Sequence, residues 1–298
     1  MRDYIGSFCE EFEYPFDASR FLLSEYDKLS KNESAYALFE QPVKLYGSDL
    51  LTDYDEAFCQ MDRVSDLTGV HKYTVHLLLL ICLTKHAKLL YEKRNISYDI
   101  YYDSMSDLKW KLAECRRMHG VWGTCVSGRY PGFFNLTRFA LGRLQYEPVP
   151  FNNSYEKGGH IINPGDTVLN IHIPSSGALK HEDCLESYKK AHVFFREYFI
   201  DKPTVFVCYS WVLFPSHTEF LPESSNILTF MNDFDIISSS INDGYSDLWR
   251  IFNKPFQGGT GDLPRDTSLQ RAYIDWIDKG NKTGNGYGIF LFDGEKRI

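Results

Sequence analysis

The residues with the most chemical promise lie between Thr167 and Leu179, in the run Thr-Val-Leu-Asn-Ile-His-Ile-Pro-Ser-Ser-Gly-Ala-Leu. Alternation from Thr167 to Pro174 predicts a strand, with Leu169, Ile171 and Ile173 on one face and Asn170 and His172 on the other. Ser175, Ser176, Gly177, Ala178 and Leu179 form a short loop of mostly small residues, and a helix is expected over His181–Phe199. A strand that enters a helix through such a loop aims backbone N–H groups at one point, a geometry that binds phosphate. Small residues let the ligand come close to the backbone. An ordinary βα turn fits the same residues. Glu182 and Asp183 in the first helical turn suit the helix dipole but would repel a pyrophosphate. Both readings stay open on the residues alone. Pro174 adds a constraint, since it has no ladder N–H and pairing must loosen there. A strand that loses its neighbour opens a wedge in which an extended ligand can pair with backbone groups.

Other candidate chemistry is weaker. Gly258-Gly-Thr-Gly-Asp262 resembles a phosphate loop but lacks the Lys-Ser/Thr of a nucleotide-binding motif, and reads as a connection. The nine histidines show no HExxH or related ligand spacing, so no metal is expected. Seven cysteines, odd in number and without CxxC spacing, argue against a disulfide framework and against a zinc site. Cys208 falls in an apolar strand, where a thiol is inert.

These segments need a scaffold, and composition bounds it. A chain of 298 residues predicts about two domains, and 43% hydrophobic with 16% aromatic residues can build large cores. The net charge of −8, with no stripe of Lys and Arg, argues against nucleic acid as a partner. The N-terminal residues carry no basic region followed by an apolar core, which predicts no signal peptide. The apolar run Leu77–Leu83 is far shorter than the ~20 residues that span a bilayer, and reads as the buried heart of a helix. A cytoplasmic protein without a membrane span is expected; its oligomeric state is not readable.

The fold class predicted is α+β, a helical N-terminal domain (1–118) followed by a mixed sheet flanked by helices (119–298). Residues 15–95 read as helical, including a long helix over Val70–Lys93 that is apolar on most of its circumference. Asp103–Met118 continues as helix and stops at Gly120. Beyond it, strands are predicted at Trp122–Ser127, Arg143–Pro148, Thr167–Pro174, Thr204–Trp211, Asp247–Phe252 and Tyr287–Phe292. Helices are predicted at His181–Phe199, Ser225–Ser238 and Thr267–Lys279, the last with a start at Asp266-Thr267-Ser268 and a stop at Gly280. Strands alternating with helices imply crossovers and helices on the faces of the sheet.

The second half resembles the GNAT N-acyltransferase superfamily, and the whole chain resembles a bacterial family of acyltransferase-domain-containing proteins. The residues that carry the likeness include Leu141-Gly-Arg-Leu-Gln-Tyr-Glu147, Leu169–Leu179, Ser210-Trp-Val-Leu-Phe-Pro215 and Ser225-Asn-Ile-Leu-Thr-Phe230, together with Leu263–Gln270 and Gly286–Leu291. The resemblance implies a GNAT-like domain that uses acyl-coenzyme A as cosubstrate and an unidentified acceptor. It implies that the strand at Ile171 and Ile173 binds the pantetheine arm, and that the loop Ser175, Ser176, Gly177, Ala178 and Leu179 cradles the pyrophosphate. This loop keeps one glycine followed by alanine, and lacks the leading Arg or Gln and the second spaced glycine of the superfamily. Asn226 stands where an asparagine lies near the cofactor, with Thr229 in place of the usual alanine. Transfer to an amine also needs a base and an acid. His172 suits the base, with Glu147 as the alternative base or as the residue that orients the imidazole, and Tyr209 suits the acid. A catalytically silent GNAT-like module that binds a ligand or a protein is the alternative.

Overall fold

A computed structural model of the chain describes residues 1–48 and 53–298, and its contacts divide into two units, Met1–Phe139 and Ala140–Ile298. The first unit is helical, with α1 (Arg2–Glu11), α2 (Phe16–Ser30), α3 (Glu33–Gly47), α4 (Tyr54–Thr68), α5 (Lys72–Lys93), α6 (Tyr98–His119) and α7 (Pro131–Phe134). Local chemistry sets the ends. The Asn32 and Asp53 side chains accept the Ala35 and Glu56 amides at the starts of α3 and α4, satisfying orphan donors. Gly69 and Gly120 end α4 and α6 in the left-handed conformation that glycine enters without strain.

Helix α5 is apolar on nearly every side, so it can be stable only inside a bundle. By length and composition it could also cross a membrane. Here residues 74–84 are all buried, and α5 touches α1, α2, α3, α4, α6 and α7. His76 in α5 ties its neighbours together, with Nε2 3.0 Å from Asp62 and Nδ1 2.8 Å from Ser127.

The segment 120–139 belongs to this helical unit, which moves the boundary from the expected 118/119 to 139/140. The strand predicted at Trp122–Ser127 does not form. Its backbone is taken by the start of α5 instead: Thr124 N–H donates to Tyr73 O at 2.9 Å, and the Thr74 hydroxyl donates to Trp122 O at 2.9 Å. Further on, Tyr130 donates to Asp107, and the Tyr91 and Tyr46 hydroxyls donate to the carbonyls of Phe133 and Phe134.

The second unit is a six-stranded sheet with the order β1-β2-β5-β6-β8-β7, plus a separate hairpin β3-β4. The strands are β1 (Phe139–Leu141), β2 (Leu144–Pro150), β3 (Tyr155–Lys157), β4 (His160–Ile162), β5 (Thr167–His172), β6 (Thr204–Ser210), β7 (Asp235–Asn242) and β8 (Thr283–Phe292). Between β5 and β6 lies α8 (His181–Phe194), and between β6 and β7 lie α9 (His217–Phe220) and α10 (Asn226–Met231). Helices α11 (Trp249–Phe252) and α12 (Ser268–Asp278) precede β8. The pair β5-β6 is parallel, as a crossover through a helix requires; β2-β5, β6-β8 and β7-β8 are antiparallel.

Two predicted elements change type. The helix expected over Ser225–Ser238 stops at Met231, and Asp235–Asn242 becomes the edge strand β7. Its Ser238, Ser239 and Ser240 look unlike a strand, but an edge with one face in water tolerates them. The strand expected at Asp247–Phe252 is the short helix α11, whose Ile251 and Phe252 pack with Leu263, Tyr273 and Ile274. Helix α12 starts as predicted, through a reciprocal capping box between Thr267 and Gln270.

Fully buried His217 joins this small core to the turn that follows β6. Its Nδ1–H donates to Val212 O at 3.2 Å, and its Nε2 accepts the Tyr273 hydroxyl, an arrangement only the neutral ring permits. Burial lowers its pKa to about 4. The unfolded ring titrates near ~6.5, so the unfolded state binds the proton first as pH falls. This contribution is therefore complete above pH ~6.5 and is lost progressively towards pH 4. Melting temperatures measured from pH 7 to pH 4.5 should fall, and His217→Gln should show a shallower slope over that range despite a lower starting value.

Candidate active site

Strand β5 pairs with β6 at only two positions, Leu169↔Phe206 and Asn170↔Val207. Beyond them each strand follows a different partner. Ile171 and His172 stay on β2, opposite Tyr146 and Gln145. Cys208, Tyr209 and Ser210 stay on β8, opposite Gly288, Tyr287 and Gly286. The ladder between β5 and β6 therefore ends four residues before Pro174, and the parallel strands open a wedge towards their C-terminal ends. Their outer ladders hold both strands in place.

The pleat sorts side chains between two faces. Leu144, Tyr146, Leu169, Ile171, Phe206 and Phe290 are buried on the face covered by α8, where Tyr188 packs on Phe206 and Phe290. Helix α8 is bonded to the sheet through buried Ser187. Its hydroxyl donates to Leu141 O at 2.6 Å and accepts the Leu144 amide and the Tyr146 hydroxyl at 3.1 and 2.8 Å.

The opposite face carries the polar residues. Glu147 pairs with Asn170 in the β2-β5 ladder, one diagonal step from His172. His172 Nε2 lies 3.1 Å from Glu147 Oε2 and 3.2 Å from the Asn170 amide nitrogen. With the Glu147 carboxylate as acceptor the ring carries its proton on Nε2 and its basic lone pair on Nδ1, and the Asn170 amide nitrogen, itself a donor, is then a neighbour of Nε2 and not its hydrogen-bond partner. The two side chains keep 28% and 22% of their surface exposed, so the pair is reachable from solvent. Tyr209 shares this face, because Val207 pairs with Asn170 two residues earlier. It is 61% exposed rather than in the core, with its hydroxyl 3.2 Å from that of Ser240. Cys208, its neighbour, is buried, and burial pushes its thiol up to about 12.

The loop expected to bind phosphate occupies the turn from β5 into α8. Ser175, Gly177 and Ala178 are exposed, Ser176 is half-buried, and Leu179 is buried. Gly177 has φ +136°, a conformation that L side chains rarely adopt. Asn226 is the exposed first residue of α10, after Ser225, whose hydroxyl caps Ile227 N–H. Helix α10 packs on α8, and Phe230 and Phe234 are buried behind it. His172, Glu147 and Tyr209 are thus brought to one face, while loop 175–179 and Asn226 belong to the helical layer on the other.

Sequence reasoning put Asn170 on the face of His172, as found, and missed Arg143. Arg143 stands in the β1-β2 turn, 31–35 residues from the loop it contacts. Its only local signal is a Gly-Arg pair between two apolar runs. A cavity of about 690 Å³ lined by His160, His192, Arg196, Lys202 and Asp293, among others, contains none of the predicted residues. No group of three or more His, Cys, Asp or Glu side chains that could hold a metal occurs among the described residues.

A sheet whose parallel central strands part before a helix, with a second crossover helix beside it, defines a GNAT-like domain. Residues 138–290 match the GNAT-like C-terminal domain family, and residues 3–128 match the N-acyltransferase N-terminal domain family. The chain belongs to the family of proteins that join these two domains. No curated protein matches it by sequence. Among solved structures, it is similar to an acyltransferase in complex with decanoyl-CoA and teicoplanin, at 19% identity and TM-score 0.75, covering 96% of this chain and 87% of that one. An acyltransferase in complex with CoA and 10C-teicoplanin matches at 18% identity and TM-score 0.74, covering 95% and 86%. One in complex with decanoyl-CoA matches at 18% identity and TM-score 0.63, covering 96% and 98%. At such identity the likeness speaks for the fold.

Ser187→Ala tests the tie that fixes β2, and with it Glu147. It strands the Leu144 amide and the Tyr146 hydroxyl in the interior, and should cost about 1–3 kcal/mol per unsatisfied group. Urea unfolding should show an earlier midpoint at unchanged slope.

Proposed function

We propose that this chain is an acyl-CoA-dependent acyltransferase that moves an acyl group from the thioester to an amine. The parting of β5 from β6 carries this reading, because the wedge joins the two groups of predicted residues through the sheet. An extended pantetheine arm can lie along β5 at Ile171 and beside Ile173, which follows directly on the strand's end at His172, as a partial replacement for the missing strand. The phosphates then fall on the helical side, at Ser175, Ser176, Gly177, Ala178 and Leu179 with Asn226 nearby. The thioester emerges on the side of His172, Glu147 and Tyr209.

The chemistry follows from these positions. The amine attacks the thioester carbonyl, and His172 takes the ammonium proton at Nδ1 while Glu147 holds Nε2–H. The tetrahedral intermediate collapses by breaking the C–S bond, and Tyr209 gives its proton to the departing thiolate. The second proton lost from the nitrogen as the amide forms restores the tyrosine, the proton on His172 returns to solvent, and the amide and free CoA leave. The acyltransferases of similar fold hold decanoyl-CoA and teicoplanin, which favours a medium acyl chain and an amine on a larger acceptor. A bacterial cytoplasm, where acyl-CoA is made, suits the chain.

Acyl-CoA should raise the melting temperature, since a ligand of the native state alone stabilises it by mass action. Acetyl-, octanoyl- and decanoyl-CoA can be compared in one thermal-shift series, and no shift at millimolar concentration would favour a binding module without catalysis. His172→Ala should lower kcat by about 10²–10⁴-fold, the contribution of a general base, and leave acyl-CoA affinity nearly unchanged. Glu147→Gln should lose less if it only orients the imidazole. Full activity in His172→Ala would remove it from the base role.

A further inference from the structure

The loop after β5 lacks the arginine or glutamine and the second glycine expected of a pyrophosphate cradle, and two acids follow it in α8. A residue from the turn between two other strands bears on this loop. Gly142 and Arg143 form the two-residue turn between β1 and β2, with Gly142 at φ +79°, as the first position of such a hairpin turn demands. The turn delivers the Arg143 guanidinium into the concave side of the loop. Nε donates to Ala178 O at 2.9 Å, one terminal nitrogen donates to Pro174 O at 3.1 Å and Ser176 Oγ at 3.4 Å, and the other donates to Gly177 O at 2.6 Å.

These bonds determine where the amides point. In a planar trans peptide the carbonyl of one residue and the N–H of the next lie on opposite sides. With the carbonyls of Pro174, Gly177 and Ala178 turned in to the guanidinium, the N–H groups of Ser175, Ala178 and Leu179 turn away from it. None of the three has an acceptor among the described residues, and Ser175 and Ala178 are exposed. Outward amides of this kind, next to the N-terminus of the 14-residue α8, bind anions. The guanidinium also sets a positive charge behind the loop, opposing Asp183, which acts on it electrostatically.

We propose that Arg143 is the positioning residue of the phosphate loop. It is a template from the β1-β2 turn that gathers the loop carbonyls so that the amides of Ser175, Ala178 and Leu179 face the pyrophosphate of acyl-CoA. The proposal rests on the acyl-CoA reading above. It assigns to one arginine, remote in sequence, the work that the missing arginine and glycine would do within the loop. A lysine cannot replace it, because an ammonium is a single point on a flexible stem and cannot hold the fork of acceptors.

The test compares two acyl donors on the full chain, acyl-CoA and the S-acyl pantetheine that ends before the pyrophosphate. Arg143→Ala and Arg143→Lys should each raise KM for acyl-CoA by about 10–100-fold, the effect expected when a residue that orients ligand-contacting groups is removed. kcat should hold within about twofold, and KM for S-acyl pantetheine should not change. CoA binding by calorimetry should weaken in parallel, and circular dichroism should report unchanged folding. Wild-type protein that uses or binds neither acyl-CoA nor CoA overturns the acyl-CoA reading, and this one with it. Wild-type protein that binds CoA beside an Arg143→Ala variant that binds it equally well overturns the template alone. Equal losses for both donors, a kcat-only loss, or full rescue by lysine also overturn it.

Discussion

The short ladder between β5 and β6 is the constraint on which the rest of the C-terminal unit depends. Six positions bind β5 to β2 and seven bind β6 to β8, whereas two bind β5 to β6. Each half of the sheet is complete on its outer side, so the halves can part without either strand losing its place. Polar backbone cannot remain buried and unsatisfied, so a ladder that ends within a sheet calls for water or an extended ligand. Pro174 lies past the end of β5, four residues beyond the last pair, and without an N–H it cannot donate to a resumed ladder there.

The parting matters because the two faces of the sheet are specialised. One is closed by α8 and α10 through Tyr188, Phe206, Phe290 and Phe234, with Ser187 bonded into the sheet. Close packing on this face extends to β8, where a Cβ on Gly286 would lie 1.9 Å from Leu213 O, so the turn after β6 can approach only a bare backbone. The other face carries His172, Glu147 and Tyr209 with partial exposure. The wedge opens between the face anchored by α8 and the face that carries His172, Glu147 and Tyr209.

The N-terminal unit follows a different logic. Its centre is a helix too apolar to face water, and the surrounding helices exist to cover it. The covering extends through residues 120–139, whose buried aromatics Tyr130, Phe133 and Phe134 complete the bundle although their sequence looks like the start of a sheet.

The sequence by itself determined what depends on neighbours a few residues apart. The burial of α5, the phase of β5 that puts His172 opposite Ile171, the small loop before α8 and the cap of α12 all follow from periodicity or side chains within one turn. The tertiary structure alone decided what depends on distant partners. It made β7 a strand, because β8 offers Ser238–Ser240 an edge to pair with. It drew residues 122–127 onto the start of α5, because Tyr73 O accepts Thr124 N–H. It set Glu147 beside His172 through a register that nothing in either segment specifies. It placed Arg143 under a loop more than thirty positions away, because side-chain periodicity records which face a residue takes and not which strand will lie beside it.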